Sequence, residues 1–169
     1  MQKRIIYIMG VSGSGKTTVG KLLAQKIQLP FFDADDFHSA KNKAKMKAGE
    51  PLTDDDRAAW LQQINQLAIE QEPSGGAIIA CSALKEKYRK VLENGIKNPC
   101  WFFLQGSYDM IYDRLQKRTG HYMPASLLQS QFDNLEIPLN AFYISIEKEP
   151  AQIADCISKE IDAAGQKSE

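Results

Sequence analysis

The sequence predicts an α/β protein in three layers: a parallel sheet with helices on both faces. Three observations carry that prediction. Five short apolar runs, RIIYIM, PFFDAD, AIIACS, CWFFLQ and FYISI, are continuous rather than alternating, as in strands covered on both sides. Amphipathic helical patterns lie between them, so successive strands require right-handed crossovers. The first run leads directly into GVSGSGKT, Gly10 to Thr17, a glycine-rich loop standing before a helical pattern.

The elements follow in order. In KTTVGKLLAQKI, Val19, Leu22, Leu23 and Ile27 fall on one helical face. A second helix is expected to start at Thr53, where TDDD offers an N-cap with an acid three places on. It continues through Trp60, Leu61, Ile64 and Leu67. A third runs through LKEKYRKVLENG with Gly95 as its C-cap, and a fourth follows Ser107. A last helix begins at Pro150 and gives way to a polar, frayed end, GQKSE. The polar stretch 118–134 fits no strand and is long enough for a lid. No repeat, low-complexity run or long linker divides the chain, so one domain is expected over 1–169.

Composition narrows the class. The 169 residues carry 21 Lys plus Arg against 21 Asp plus Glu. This balance gives no overall pull toward nucleic acid or an anionic membrane. Cys81, Cys100 and Cys156 form no C-x-x-C pair and no metal-ligand spacing, which fits reduced thiols in a cytoplasmic protein. The five apolar residues after Lys3 and Arg4 are too few for a secretory signal, and a soluble cytoplasmic location is expected.

Gly10-x4-Gly15-Lys16-Thr17 matches G-x-x-x-x-G-K-[ST] in the required setting, strand before and helix after. The loop from Gly10 through Val11, Ser12, Gly13, Ser14 and Gly15 turns backbone N–H groups toward phosphate oxygens. Lys16 reaches the terminal phosphates, Thr17 offers a hydroxyl to magnesium, and Thr18 continues the anion-binding helix start. A nucleotide triphosphate is therefore the expected ligand. GTP-switch motifs are absent, and AIIACS ends in Cys-Ser rather than the acid expected of a motor or transporter ATPase. A small-molecule kinase remains. D-G-x-P-R, expected of a nucleoside monophosphate kinase, is also missing after that strand.

Such an enzyme needs a second substrate. DADDFH ends the second apolar run, and on a continuing strand Asp33 and Asp35 would share one face. One suits magnesium and the other a proton acceptor, unless they cap the next helix. His38 suits a polyol hydroxyl or a loop interior. Arg57 lies in a helix first turn, where a cation opposes the dipole. Either it binds a carboxylate or it pairs with Asp54 or Asp55. CSALKEKYR brings Ser82, Lys85, Tyr88 and Arg89 toward the same cleft, or forms a solvated charged helix.

GVSGSGKTT, DADDFH, KMKAGEPLTDDDR, ACSALKEKYR and GHYMPASLLQSQFDNLE together resemble the gluconokinases, relatives of shikimate kinase among the P-loop small-molecule kinases. The likeness spans about Ile5 to Pro138. It implies a five-stranded parallel sheet of order 2-3-1-4-5 with a substrate-binding helical segment near 38–72 and a lid near 118–134. It also implies ATP and Mg2+, with phosphorylation of D-gluconate at the 6-hydroxyl in gluconate catabolism feeding the pentose phosphate pathway, and a possible homodimer. Another sugar acid, or shikimate, is the alternative acceptor. By the same resemblance Asp35 is the base, Asp33 lies nearer magnesium, and Arg57 anchors the carboxylate. Arg114 lies against adenine and Arg118 descends with the lid onto the phosphates, acting in catalysis with Lys16. His38, Lys85, Arg89 and Gln131 are further contacts to substrate hydroxyls or carboxylate. Ser39 and Ala59 stand where the family usually has proline, which is expected to loosen the backbone around the acceptor segment.

Overall fold

The computed structural model describes residues 4–117 and 124–166. Its strands are β1 (Arg4–Met9), β2 (Phe31–Asp33), β3 (Gly76–Ala80), β4 (Pro99–Gln105) and β5 (Phe142–Ser145). They form one parallel sheet in the order β2-β3-β1-β4-β5, as expected. Helices α1 (Lys16–Ile27), α2 (Ala40–Lys47), α3 (Asp54–Gln71), α4 (Glu86–Glu93), α5 (Tyr108–Gln116), α6 (Ala125–Asn134) and α7 (Pro150–Gln166) complete it.

The continuous apolar character of β1 follows from its central place. Ile5, Tyr7 and Met9 face a core shared with Trp60, Ile64 and Ala68 of α3 and Leu92 of α4. Ile6 and Ile8 face the opposite core, shared with Val19 and Leu23 of α1, Ile111 of α5, and Ile153 and Ile157 of α7. Each such side chain contributes roughly 1.5–3 kcal/mol when removed from water. Gly20 permits the close packing of α1 on the sheet, since a Cβ there would stand 2.3 Å from the Phe31 ring. Tyr7 stacks on Trp101 at 4.2 Å between ring centroids and donates its hydroxyl to the Leu92 carbonyl, which satisfies the buried polar tip.

Several expectations are corrected. β2 stops at Asp33, because the Asp33 carboxylate accepts the Asp35 N–H and turns the chain into a 3-10 helix over Ala34–Phe37. Asp35 therefore sits on a turn, not on a continuing strand. β5 is an edge strand, and Phe142 and Tyr143 are exposed rather than covered on both faces. α4 begins after Lys85, not at Leu84, because Ala83 takes a left-handed conformation with φ 44°. No correction falls on the stretch expected to form a lid, which contains α6, with Leu128 buried in the second core. Residues 118–123, Arg118 included, lie outside the described residues.

Ser39 N-caps α2 by accepting the Asn42 N–H at 3.1 Å. A helix cap thus stands where proline was the family norm. Ala59 lies inside α3, where a proline would remove a helical hydrogen bond. Cys81 is buried at the end of β3, and Cys100 and Cys156 are half-buried. Among the described residues no helix is long and apolar enough to cross a membrane.

Candidate active site

The phosphate loop follows β1. Gly10, Gly13 and Gly15 take φ of 148°, 81° and 98°, a region that side chains resist. The turn closes through the Ser14 N–H to the Val11 carbonyl at 3.2 Å, and the Lys16 ammonium donates to the same oxygen at 3.1 Å. Thr18 stands in the first turn of α1. The Thr17 hydroxyl donates to Asp33 at 2.5 Å, so these two oxygen groups, read from separate motifs, meet beside the loop. A hydroxyl and a carboxylate are the hard oxygen donors that magnesium takes, with phosphate oxygens and water completing its shell. Asp33 caps the 3-10 turn, the capping role the sequence offered, and its carboxylate also faces Thr17.

Beyond the loop lies a cavity of about 380 Å3, a volume suited to a small polar metabolite. Ser12, Lys16 and Asp35 line it, together with Arg57, Lys85 and Tyr88. His38, Ser82 and Gln131 complete the ring of polar groups. Asp35 opens to the cavity at 70% side-chain exposure, in a concave site that strips part of its water. That desolvation pushes its pKa above the ordinary 3.8, opposed by the Lys16 charge and reinforced by Asp33 and Asp36.

His38 stacks on Trp60 with ring centroids 4.1 Å apart, and Trp60 in turn donates to the Ala34 carbonyl at 2.7 Å. Its Nε2 lies 3.9 Å from Asp35, while its buried Nδ1 has no hydrogen-bond partner among the described residues. Burial, then the charges of Arg57 and Lys43, push its pKa down to about 4. The imidazole is thus neutral at physiological pH and suited to a substrate hydroxyl.

The cationic cluster is built on α3 and α4. The Arg57 guanidinium lies 5.4 Å from the Tyr88 ring centroid and donates to the carbonyls of Leu52 and Thr53. It does not pair with Asp54 or Asp55 through a salt bridge. Lys85 lies 5.8 Å from the same ring and 3.8 Å from the Asp54 carboxylate. Asp54 accepts from Lys87 and from the Tyr88 hydroxyl, which hold its pKa down at about 2. It therefore stays ionised and holds the ring that Arg57, Lys85 and Lys87 approach.

Arg89 is placed differently from the expectation. It is buried and does not line the cavity. Its guanidinium donates to the Ala83 and Leu84 carbonyls at 2.8 and 3.2 Å and to Glu86 at 2.7 and 3.0 Å. It holds the left-handed Ala83 turn, and so shapes the loop that carries Lys85. Arg114, on α5, donates to the Ile146 carbonyl. Sequence reasoning missed Ser130 and Asn134 of α6, which line the cavity, and gave Trp60 only a core role. The signal for Ser130 and Asn134 was present in SQFDNLE.

The comparisons now bear on this geometry. A family model described as Shikimate kinase matches residues 12–159. A probable gluconokinase of Dictyostelium discoideum is 48% identical, over 81% of this chain and 72% of its own. The chain belongs to the gluconokinase family. A probable gluconokinase of Rattus norvegicus is 41% identical over 90% of this chain and 95% of its own. The crystal structure of a gluconokinase from Sinorhizobium meliloti 1021 is similar throughout. Its TM-score is 0.87 at 34% identity, covering 99% of both chains. In this gluconokinase family member the donor loop and the acceptor cavity are thus set in a P-loop kinase fold.

Proposed function

We propose that this protein transfers the γ-phosphoryl group of ATP to the 6-hydroxyl of D-gluconate, giving 6-phosphogluconate and ADP. The observation that carries the reading is the shared cavity. Lys16 and Asp35 line the same cavity as the Arg57–Tyr88–Lys85 cluster, so acid, phosphate-loop lysine and cationic group face one ligand space. A linear sugar acid carries both a carboxylate and a terminal hydroxyl, which matches that set of groups.

In this reading Arg57 and Lys85 hold the carboxylate by charge-assisted hydrogen bonds. His38 and Gln131 meet the hydroxyls between. Asp35 orients the terminal hydroxyl and accepts its proton as the oxygen bonds to phosphorus and the bond to the ADP oxygen breaks. Lys16 and the loop amides balance charge on the transferring group. Thr17 and Asp33 would hold magnesium, which supplies charge neutralisation to the phosphates when bound. Arg114 is assigned to the adenine and Arg118 to the phosphates, both from family resemblance.

The test is a coupled assay of ADP release with ATP, magnesium and a panel of sugar acids including shikimate. Turnover with D-gluconate above all others is expected, with phosphorus NMR showing a primary phosphate ester. Turnover with a different acid and none with gluconate would refute the substrate assignment.

A further inference from the structure

Gln131 and Glu136 stand five positions apart and bond two different loops, the phosphate loop at Ser12 and the loop at Leu84–Glu86. Gln131 makes two bonds to one residue of the phosphate loop. Its Oε1 accepts the Ser12 backbone N–H at 2.7 Å, and its Nε2 donates to the Ser12 hydroxyl at 3.0 Å. Glu136 makes two bonds to the loop that carries Lys85. Its carboxylate accepts the Glu86 N–H at 2.6 Å, and its own N–H donates to the Leu84 carbonyl at 2.8 Å. The first of these supplies an N-terminal cap that α4 does not receive from the Lys85 side chain. Between them Phe132 packs on the second core and Leu135 on both. The 131–136 segment is therefore a short, packed bridge from Ser12 to Lys85.

We propose that Gln131 and Glu136 are positioning residues that couple the two substrates, so that nucleotide on the phosphate loop tightens binding of the sugar acid, and the reverse. The inference rests on the reaction proposed above. A phosphate chain selects one orientation of the Ser12 peptide, because the neighbouring amides must turn inward together. Gln131 transmits that orientation to α6, whose Ser130, Gln131 and Asn134 line the acceptor cavity. Glu136 transmits it to Leu84–Glu86 and hence to Lys85. The sugar acid, held by the same α6 and Lys85, selects the same arrangement. Two ligands that favour one arrangement raise each other's affinity by the same factor.

Calorimetry of D-gluconate binding, with and without a non-hydrolysable ATP analogue plus magnesium, reads that factor. In the unaltered protein we expect a ratio of affinities of at least about 5-fold. Gln131→Met keeps the length and removes both polar atoms; its ratio is expected to fall to within about 2-fold of unity. Glu136→Met is expected to lower the ratio likewise. Glu136→Gln, which retains an oxygen for the Glu86 N–H, is expected to restore it. A purely structural role would lower the melting temperature or both affinities and leave the ratio unchanged.

The inference is overturned by a ratio near one in the unaltered protein, or by full coupling in either methionine variant. If Gln131→Met does not fold, Ser12→Ala removes the hydroxyl from the loop side and should roughly halve the ratio on the same coupling scale. An unchanged ratio there overturns it equally. Gluconate turnover with unaltered coupling would sink this inference alone; absence of turnover would sink the reaction itself.

Discussion

Asp35 is the residue on which the chemistry turns. Its carboxylate faces the cavity beside Lys16, with its pKa raised first by desolvation. Asp35→Asn keeps the shape and removes the proton acceptor. It should lower kcat by about 10²–10⁴-fold while the KM for ATP stays within about 3-fold. The acid limb of kcat/KM should lie above the ordinary carboxylate value of 3.8, because Asp35 must be ionised to act. Arg57→Ala removes a charged donor from the cavity lining. A charge-assisted bond of about 1.5–3 kcal/mol predicts a roughly 10–150-fold rise in the KM for gluconate, larger than any change for ATP. Steady-state kinetics with each substrate varied separates the two effects. His38 gives a pH signature of its own. Its folded pKa is about 4 against an ordinary 6.5, so between these values the unfolded chain binds the extra proton. Stability is then fully present above pH 6.5 and falls as pH drops toward 4, by at most about 3 kcal/mol from this group. His38→Gln should flatten that part of the pH dependence in denaturant melts.

At the scale of elements, the TDDD stretch has three different acids. Asp56 closes a capping box with Thr53, accepts Lys45 at 2.8 Å, and presents its carbonyl to Asn42 at 2.7 Å. Asp54 holds Tyr88, and Asp55 is exposed. Thr53→Ala removes the cap and should cost about 1 kcal/mol, lowering Tm by roughly 2–4 °C in a thermal melt. Because the same cap sets the first turn carrying Arg57, the KM for gluconate should rise with it. The contrast between α1 and α2 shows what a sequence can reveal. α1 has an apolar stripe and a glycine loop before it, and both are legible. α2, AKNKAKMK, has no stripe to read. Its place is fixed by Ser39, Asn42 and Lys45 bonding to groups near and far in the chain. α6 hides for a related reason: Leu128 is its one buried residue, and its anchor is Gln131 on Ser12. Arg57 and Lys85 were readable as site candidates because a cation beside TDDD or after a buried strand asks for an explanation. Arg89 was misplaced because residue type does not tell which way a guanidinium turns, and here it turns inward to hold Ala83. The end of β2 was misplaced because the Asp33 side chain bonds its own chain two residues on.

The whole molecule is organised by strand order. With β3 between β1 and β2, the ends of these strands deliver the phosphate loop, Asp33 and Ser82 to one edge of the sheet. The Gly10 N–H meets the Ser82 carbonyl at 3.4 Å across that edge. The continuous apolar runs foretold this sheet well for β1, β3 and β4, which are covered on both faces. The two edge strands were less legible, since burial there depends on neighbours the runs do not show. The placement of Cys81 at the end of β3, beneath this same edge, has a consequence for measurement. Burial pushes its thiol up to about 12, with Asp35 adding to the shift. The Cys100 thiol is held at about 11 by burial. Cys156 lies on α7 with its sulfur 3.5 Å from the Lys148 ammonium. A disulfide reagent in native buffer should therefore modify Cys156 first, then Cys100, and Cys81 only when the sheet opens. The rate at Cys81, followed by mass spectrometry, should climb with denaturant in step with unfolding; early labelling of Cys81 would contradict the order. The chain thus carries its own slow chemical clock, one that times how often the interior beneath the reaction site is laid bare.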